Sequence, residues 1–214
     1  MADFLQMGRR VGAFLMSEAN NFRSRGTGTV VGAVKSGTIL GLIVTAGATA
    51  AAVGGNVGNG VLTLDATDPV LSGAKAGVYK VVITDVIANG GNFEVIDPEG
   101  KSLGSGRVGT LFSNKLKFTL ADGATDFARG DNFTITVVEG VKQYKPVDLT
   151  ATDGSEIAVA ILLLDTEATT NAALIKRSAE VTADDLIYPT GATTAQKTAI
   201  NAALEKVGII VRED

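Results

Sequence analysis

Cysteine, histidine and tryptophan are all missing from the 214 residues. Without cysteine no disulfide and no thiolate metal site can form. Without histidine, imidazole-dependent triads, His-ligated zinc, histidine general bases and histidine-held haem are excluded too. Carboxylate, lysine or serine chemistry and oxygen-ligated calcium survive on paper, but most of the enzyme repertoire does not. A basic excess is also lacking: the net charge is −4, so the molecule as a whole offers no footprint for nucleic acid. Long apolar runs are absent as well. The most apolar stretch, residues 39–53, is interrupted by Gly41, Thr45, Gly47 and Thr49 and falls short of the ~20 residues of a membrane span. Arg9 and Arg10 precede only a short apolar run before Ser17, too short for a secretory signal. The expectation is a soluble chain made inside a cell, with no membrane partner.

What is present is aliphatic and glycine-rich. Hydrophobic residues reach 45% but aromatics only 5%, with 26 glycines. Alanine, valine, leucine, isoleucine and threonine joined by glycine turns suit pleated surfaces. The length predicts one large domain or two small ones. Charge is uneven along it: residues 1–54 carry five Arg/Lys against two acids, residues 55–140 seven against ten, and residues 141–214 seven against eleven. A basic leading segment on an acidic body reads as an arm seeking an acidic surface.

Residues 1–25 show no clean period, yet contain Phe4, Leu5, Phe14, Leu15 and Phe22. Such a segment is either a helix docked on the body or a flexible tail that orders on a partner. Residues 26–34 and 37–44 read as short strands. Gly54–Gly60, with four Gly and two Asn among its residues apart from Val57, reads as a hinge or linker. Beyond it, residues 78–86, 92–96, 115–120 and 132–138 alternate or nearly alternate, with turn signals between them. That spacing predicts an all-β sandwich or barrel over 55–139. From 140 onward the apolar run 157–164 predicts a strand buried on both faces or a buried turn of helix. Residues 172–181 read as one strand with a wet face, and Thr182 as the cap of a short turn holding Asp184 and Asp185. The clearest helix follows Pro189 and Gly191: Thr193 or Thr194 caps it, Ile200, Ala203, Leu204 and Val207 make its apolar face, and Gly208 ends it before a closing strand at 209–211.

Motifs of chemistry are weak. Gly104-Ser-Gly106-Arg-Val-Gly109 matches a dinucleotide fingerprint, but a strand follows it where a helix is required, so its glycines read as turn residues. Gly54–Gly60 lacks the Lys-Ser/Thr of a phosphate loop. The close carboxylate pairs Asp97/Glu99 and Asp184/Asp185 read as turn residues facing water rather than as an opposed acid–base pair. No calcium-loop spacing occurs, and the sequon at Asn132 falls inside an expected strand. No catalytic, cofactor or metal residue is assigned. Arg9, Arg10, Arg23 and Arg25 are too sparse for a phosphate-binding arm, so the arm is assigned to a protein surface.

Residues 141–212 contain an ordered series: Tyr144-Lys145-Pro146, Asp153-Gly154-Ser155-Glu156-Ile157 running on to Leu163, Arg177-Ser178-Ala179-Glu180-Val181, Pro189-Thr190-Gly191 and Gly208-Ile209-Ile210-Val211-Arg212. Together they resemble the head decoration proteins of tailed bacteriophages, the lambda-type capsid-stabilising family. Gly12–Asn20 and Ser24-Arg25 resemble the start of its longer members, and the central β module looks like an insertion similar to the immunoglobulin-like modules of virion surfaces. The resemblance implies a non-enzymatic cement that joins the outer surface of an expanded phage head as homotrimers at local three-fold positions, with the major capsid protein as partner. It implies made-in-host-cytoplasm, virion-borne localisation, no cofactor and no nucleic-acid contact.

The expected architecture is therefore mainly β with minor α. It has a capsid-binding arm at 1–25, a discontinuous core at 26–54 and 140–214 with one C-terminal helix, and an inserted sandwich or barrel at 55–139. The candidate capsid-contacting residues are Phe14, Leu15, Glu18, Phe22, Arg23 and Arg25. Two alternatives stay open: a phage tail-tube or neck protein, and an adhesin-like module acting on host surfaces or glycans through 55–139. Against the second, Tyr79, Phe93, Phe112, Phe118, Phe127 and Phe133 sit mostly at strand positions expected to be core. A hydrolase is disfavoured by the lack of histidine and of any Ser-x-x-Lys element.

Overall fold

The computed structural model describes residues 10–213. The chain is mostly β, 46% strand and 9% helix, and divides into two compact units. Unit 1 comprises 10–42, 142–150 and 155–213 of the described residues, and unit 2 comprises 43–141 and 151–154. In chain order, unit 1 begins with β1 (Leu15–Glu18), a four-residue helix α1 (Asn21–Ser24), β2 (Arg25–Val30) and β3 (Ile39–Leu42). Unit 2 follows with β4 (Thr45–Ala52), β5 (Val61–Leu64), β6 (Gly77–Ile87), β7 (Gly90–Ile96), β8 (Ser102–Arg107), β9 (Leu111–Ser113), β10 (Lys117–Ala121) and β11 (Asn132–Glu139). The chain then returns to unit 1 with β12 (Tyr144–Pro146), β13 (Ala158–Leu162), β14 (Thr170–Ile175), β15 (Ala179–Thr182), α2 (Thr194–Lys206) and β16 (Ile209–Arg212).

Unit 1 is built on a closed barrel in the order β12-β2-β14-β13-β3. Its interior holds Val30, Leu40, Ala160, Leu162 and Leu174. The alternate residues of the same strands, Ile39, Ile161 and Ile175, face a second cluster with Phe14, Val181, Ile200, Leu204 and Ile209. A wall apolar on both sides explains why β13 lies in a continuous apolar run and not an alternating one. The second cluster is covered by α2 and by a small sheet in the order β1-β15-β16. Thr193 caps α2 with a capping box: its hydroxyl accepts from the Gln196 N–H, and the Gln196 side chain accepts from the Thr193 N–H. Ile200 and Leu204 are the buried residues of that helix.

Unit 2 encloses one core between a five-stranded sheet, β4-β11-β6-β7-β8, and a three-stranded sheet, β5-β10-β9. Tyr79, Phe93, Phe112, Phe118, Phe127 and Phe133 are all buried. Phe93, Phe112 and Phe118 form a ring cluster with centroids 5.1–6.0 Å apart, within the range of favourable aromatic contact.

Several expectations meet a different structure. The Gly54–Gly60 stretch is not a linker. The Asp131 carboxylate accepts the Val57 and Gly58 N–H groups at 2.9 and 2.8 Å, and Cβ atoms at Gly58 and Gly60 would strike Phe127 at 2.5 and 2.1 Å. Those glycines let the chain lie against the ring. Residues 45–52, expected in the core of the other body, pair along β11 instead. Residues 172–181 are two strands in two sheets, because Ser178 at φ +51 breaks the run and frees β15 to pair with β1 and β16. Thr182 precedes the short 3-10 turn at Ala183–Asp185, but its side chain makes no capping hydrogen bond. Gly104-Ser-Gly106 lies within β8, and a Cβ at Gly106 would stand 2.3 Å from the Phe93 ring, so that glycine serves packing and not phosphate.

Candidate functional site

The leading segment is the candidate, and from residue 10 onward it is folded onto unit 1. Phe4, Leu5 and Arg9 lie outside the described residues. A turn closed by Ala13 N–H to Arg10 C=O and Leu15 N–H to Gly12 C=O requires Gly12 at φ +76 and directs Phe14 inward. Phe14 is 2% exposed and packs in the unit 1 core, so it serves the fold. Leu15, half-buried, begins β1 opposite Val181 and packs against the same cluster.

Beyond β1 the chain reverses through α1. Phe22 N–H donates to Asn20 Oδ1 at 3.2 Å, and the turn is tied down from below. Glu18 ion-pairs with Arg25, whose Nε donates to the Glu18 carboxylate oxygens at 3.1 and 3.0 Å. The buried Ser24 hydroxyl donates to Glu18 Oε2 at 2.5 Å, and the Ser24 carbonyl accepts from Lys176 and Arg177 N–H. The Arg25 guanidinium holds the Glu18 carboxyl below its ordinary range, burial opposes this, and the Ser24 hydroxyl adds to the lowering. Bidentate carboxylate–guanidinium pairing fixes orientation as well as charge.

These ties leave Phe22 at the apex, 89% exposed, with Arg23 also exposed. Among the described residues Phe22 is the one exposed aromatic, and Val11 and Met16 of the same segment are exposed as well. Of the six candidate contacts, then, Glu18 and Arg25 are brought together to brace the turn, Phe14 and Leu15 anchor its base, and Phe22 and Arg23 are presented to solvent. Sequence reading noted Ser24-Arg25 and Gly12–Asn20 for their resemblance but placed neither Ser24, a short polar residue between two arginines, nor the exposed Met16 among the candidate contacts.

Elsewhere the chemistry is structural. Asp97 accepts the Glu99 and Lys101 N–H groups to close a turn, and Glu99 pairs with Lys75 at 2.5 Å. Asp184 and Asp185 occupy the 3-10 turn. A recess of about 340 Å³ beside the leading segment is lined by Arg10, Val11, Lys35, Asp165 and Ile187. Lys35 Nζ donates to Asp165 there at 2.9 Å. Among the described residues no cluster of three or more carboxylates is placed to hold a metal, and no helix is long and apolar enough to cross a membrane.

No curated protein matches the chain. Two crystal structures of FlgL from Xanthomonas campestris match 49% of it at 25% identity. They give a TM-score of 0.32, and the match covers 34% and 33% of their own length, about a third; a likeness that loose defines no shared fold. The family model described as bacteriophage lambda head decoration protein D matches residues 4–209. By that match over nearly the whole sequence, the chain belongs to the bacteriophage lambda head decoration protein D family, a structural component of the phage head.

Proposed function

We propose that this chain is a non-enzymatic cement: it binds the outside of the expanded head as homotrimers, seats its leading segment on the major capsid protein and resists the pressure of packaged DNA. The observation that carries the reading is Phe22, 89% exposed on a turn that Glu18, Ser24 and Arg25 lock in place. A preorganised aromatic flanked by a cation is the kind of anchor that dominates binding energy, because little ordering entropy remains to be lost on contact. A trimer would multiply such weak anchors by avidity. Unit 2 is assigned a structural role in place of sugar binding, since Tyr79, Phe93, Phe112, Phe118, Phe127 and Phe133 are all in its core and no ring remains to stack on a glycan.

The test is co-sedimentation of the purified chain with empty capsids of its own phage, expanded and unexpanded, counting bound copies. Saturable binding to expanded shells alone, in multiples of three at each local three-fold position, is the expected result. Binding to neither form overturns the reading and points to the tail or neck.

A further inference from the structure

Unit 2 leaves one sheet edge open. β4 ends the five-stranded sheet and, among the described residues, pairs only with β11. The Val53 N–H donates to the Asn132 carbonyl. By the antiparallel alternation, Ala51 and Thr49 then turn their backbone groups to β11, while Ala48, Ala50 and Ala52 turn theirs outward. No backbone hydrogen bond meets that outer side among the described residues, and residues 49–52 are exposed.

Natural edges are blunted by charge, proline, bulges or brevity, and the other edges here follow that rule. β1 and β16 have four residues each and carry Glu18 and Arg212. β8 has a register shift at Val95/Ile96, a positive φ at Gly104 and ends in Arg107. β4 is eight residues long; it shifts register between Thr45 and Ala48 and has a positive φ at Gly47, but beyond that kink Ala48-Thr49-Ala50-Ala51-Ala52 runs in regular register with neither charge nor proline. Beside its outer half lies a recess of about 180 Å³ lined by Ala50, Ala51, Ala52, Val61, Leu62 and Phe133, room that an added strand's side chains would fill.

We infer that β4 is a self-association edge: it pairs antiparallel with β4 of a second copy of this chain, about a two-fold axis through Ala50. The occupant is a second copy because the strand is complementary to itself. With Ala50 opposite Ala50, Ala48 meets Ala52 and Thr49 meets Ala51, so no like charges and no bulky groups oppose each other. About six backbone hydrogen bonds form across the three narrow pairs, and the two five-stranded sheets run on into one. The inference rests on the proposed function in one respect: on a shell the copies are crowded, which supplies the local concentration that a short seam needs.

Sedimentation velocity of the full chain over a concentration series tests it. A species of twice the mass of the smallest particle is expected. Ala50→Pro removes only an outward N–H, and Thr49→Lys puts a blunting charge on the strand; each is expected to raise the midpoint of doubling at least tenfold with the smallest particle and the thermal midpoint unchanged. If Ala50→Pro fails to fold, Thr49→Lys decides. Because the chain lacks cysteine, Ala50→Cys supplies a sole thiol whose partner lies ~5.5 Å away Cα to Cα in a narrow pair. Under diamide it is expected to cross-link at least tenfold faster than a Thr110→Cys control. No doubling up to the solubility limit, doubling indifferent to both blocking variants, or equal cross-linking rates would each overturn the inference. Both blocking variants are expected to bind expanded shells with unchanged copy number, so failure of the seam and failure of cementing read out separately.

Discussion

Gly41 lies so close to the backbone of Ser155 that a Cβ on it would stand 2.1 Å from the Ser155 carbonyl oxygen. The obstacle is main chain in a fully buried residue, which cannot swing aside as a side chain can. Gly41 is in the middle of β3, where it pairs with both Lys145 and Ala158.

Gly41→Ala therefore forces the turn that carries Ser155, just ahead of β13, away from β3. The expected cost is about 2–4 kcal/mol, as for overpacking in a rigid interior. Amide exchange should show loss of protection in unit 1 with unit 2 unaffected. Unchanged protection of β3 and β13 would refute the steric account.

Substitutions at Phe14 and Phe22 are expected to separate folding from the proposed shell contact. Phe14→Ala empties a core position and is expected to cost about 3–5 kcal/mol in denaturant unfolding. Phe22→Ala is expected to change stability by less than ~0.5 kcal/mol but to weaken shell binding at least tenfold, as loss of an aromatic anchor does. Equal shell affinity for wild type and Phe22→Ala would remove Phe22 from the contact.

Asp131 predicts an acid dependence in unit 2. Burial opposes its ionisation, yet the N–H groups of Ala128, Val57 and Gly58 outweigh burial and hold the carboxyl below its ordinary value of 3.8. A depressed folded value means the contribution is complete above pH 3.8 and is lost as pH falls through the lower folded value. Asp131→Asn is expected to cost about 1–3 kcal/mol at pH 7 and to flatten the stability profile below pH 4. A variant as acid-sensitive as the wild type would show that other carboxylates set that limb.

How much of this was legible in advance depended on the distance over which each signal acts. The α2 boundaries were readable because a threonine cap at 193 or 194 and Gly208 act within a few residues, and β6 and β11 because alternation is local. The Asp131 clamp on Val57 and Gly58 was not, since its two halves lie more than 70 residues apart, and a Gly/Asn-rich stretch alone reads as a linker. Within the candidate site, the apolar and charged residues of the leading segment stood out as a set. Their division into anchors, braces and presented groups did not, because Phe14 and Phe22 have the same chemistry and differ only in what β15 and the barrel bring beside them.

Thr193 offers a check on the helix that covers the unit 1 core. Thr193→Ala removes the hydroxyl that accepts the Gln196 N–H and is expected to cost about 1 kcal/mol, while Thr193→Asp, which can still accept that bond and adds charge favourable to the dipole, should retain stability. Thermal unfolding that ranks alanine equal to aspartate would assign the cap no energetic role.

The small sheet β1-β15-β16 joins Leu15–Glu18 to Ile209–Arg212 through a single intervening strand. Unit 2 has its full set of residues once Gly154 has been synthesised, whereas unit 1 waits for Arg212. On the ribosome the order of synthesis thus becomes an order of folding: the sandwich can close first, while the segment bearing Phe22 stays without its complete sheet until Arg212 has emerged. A chain released before Arg212 would carry a finished unit 2 and an incomplete sheet beneath the Phe22 turn, a half-built molecule in which one unit is folded and the other is not.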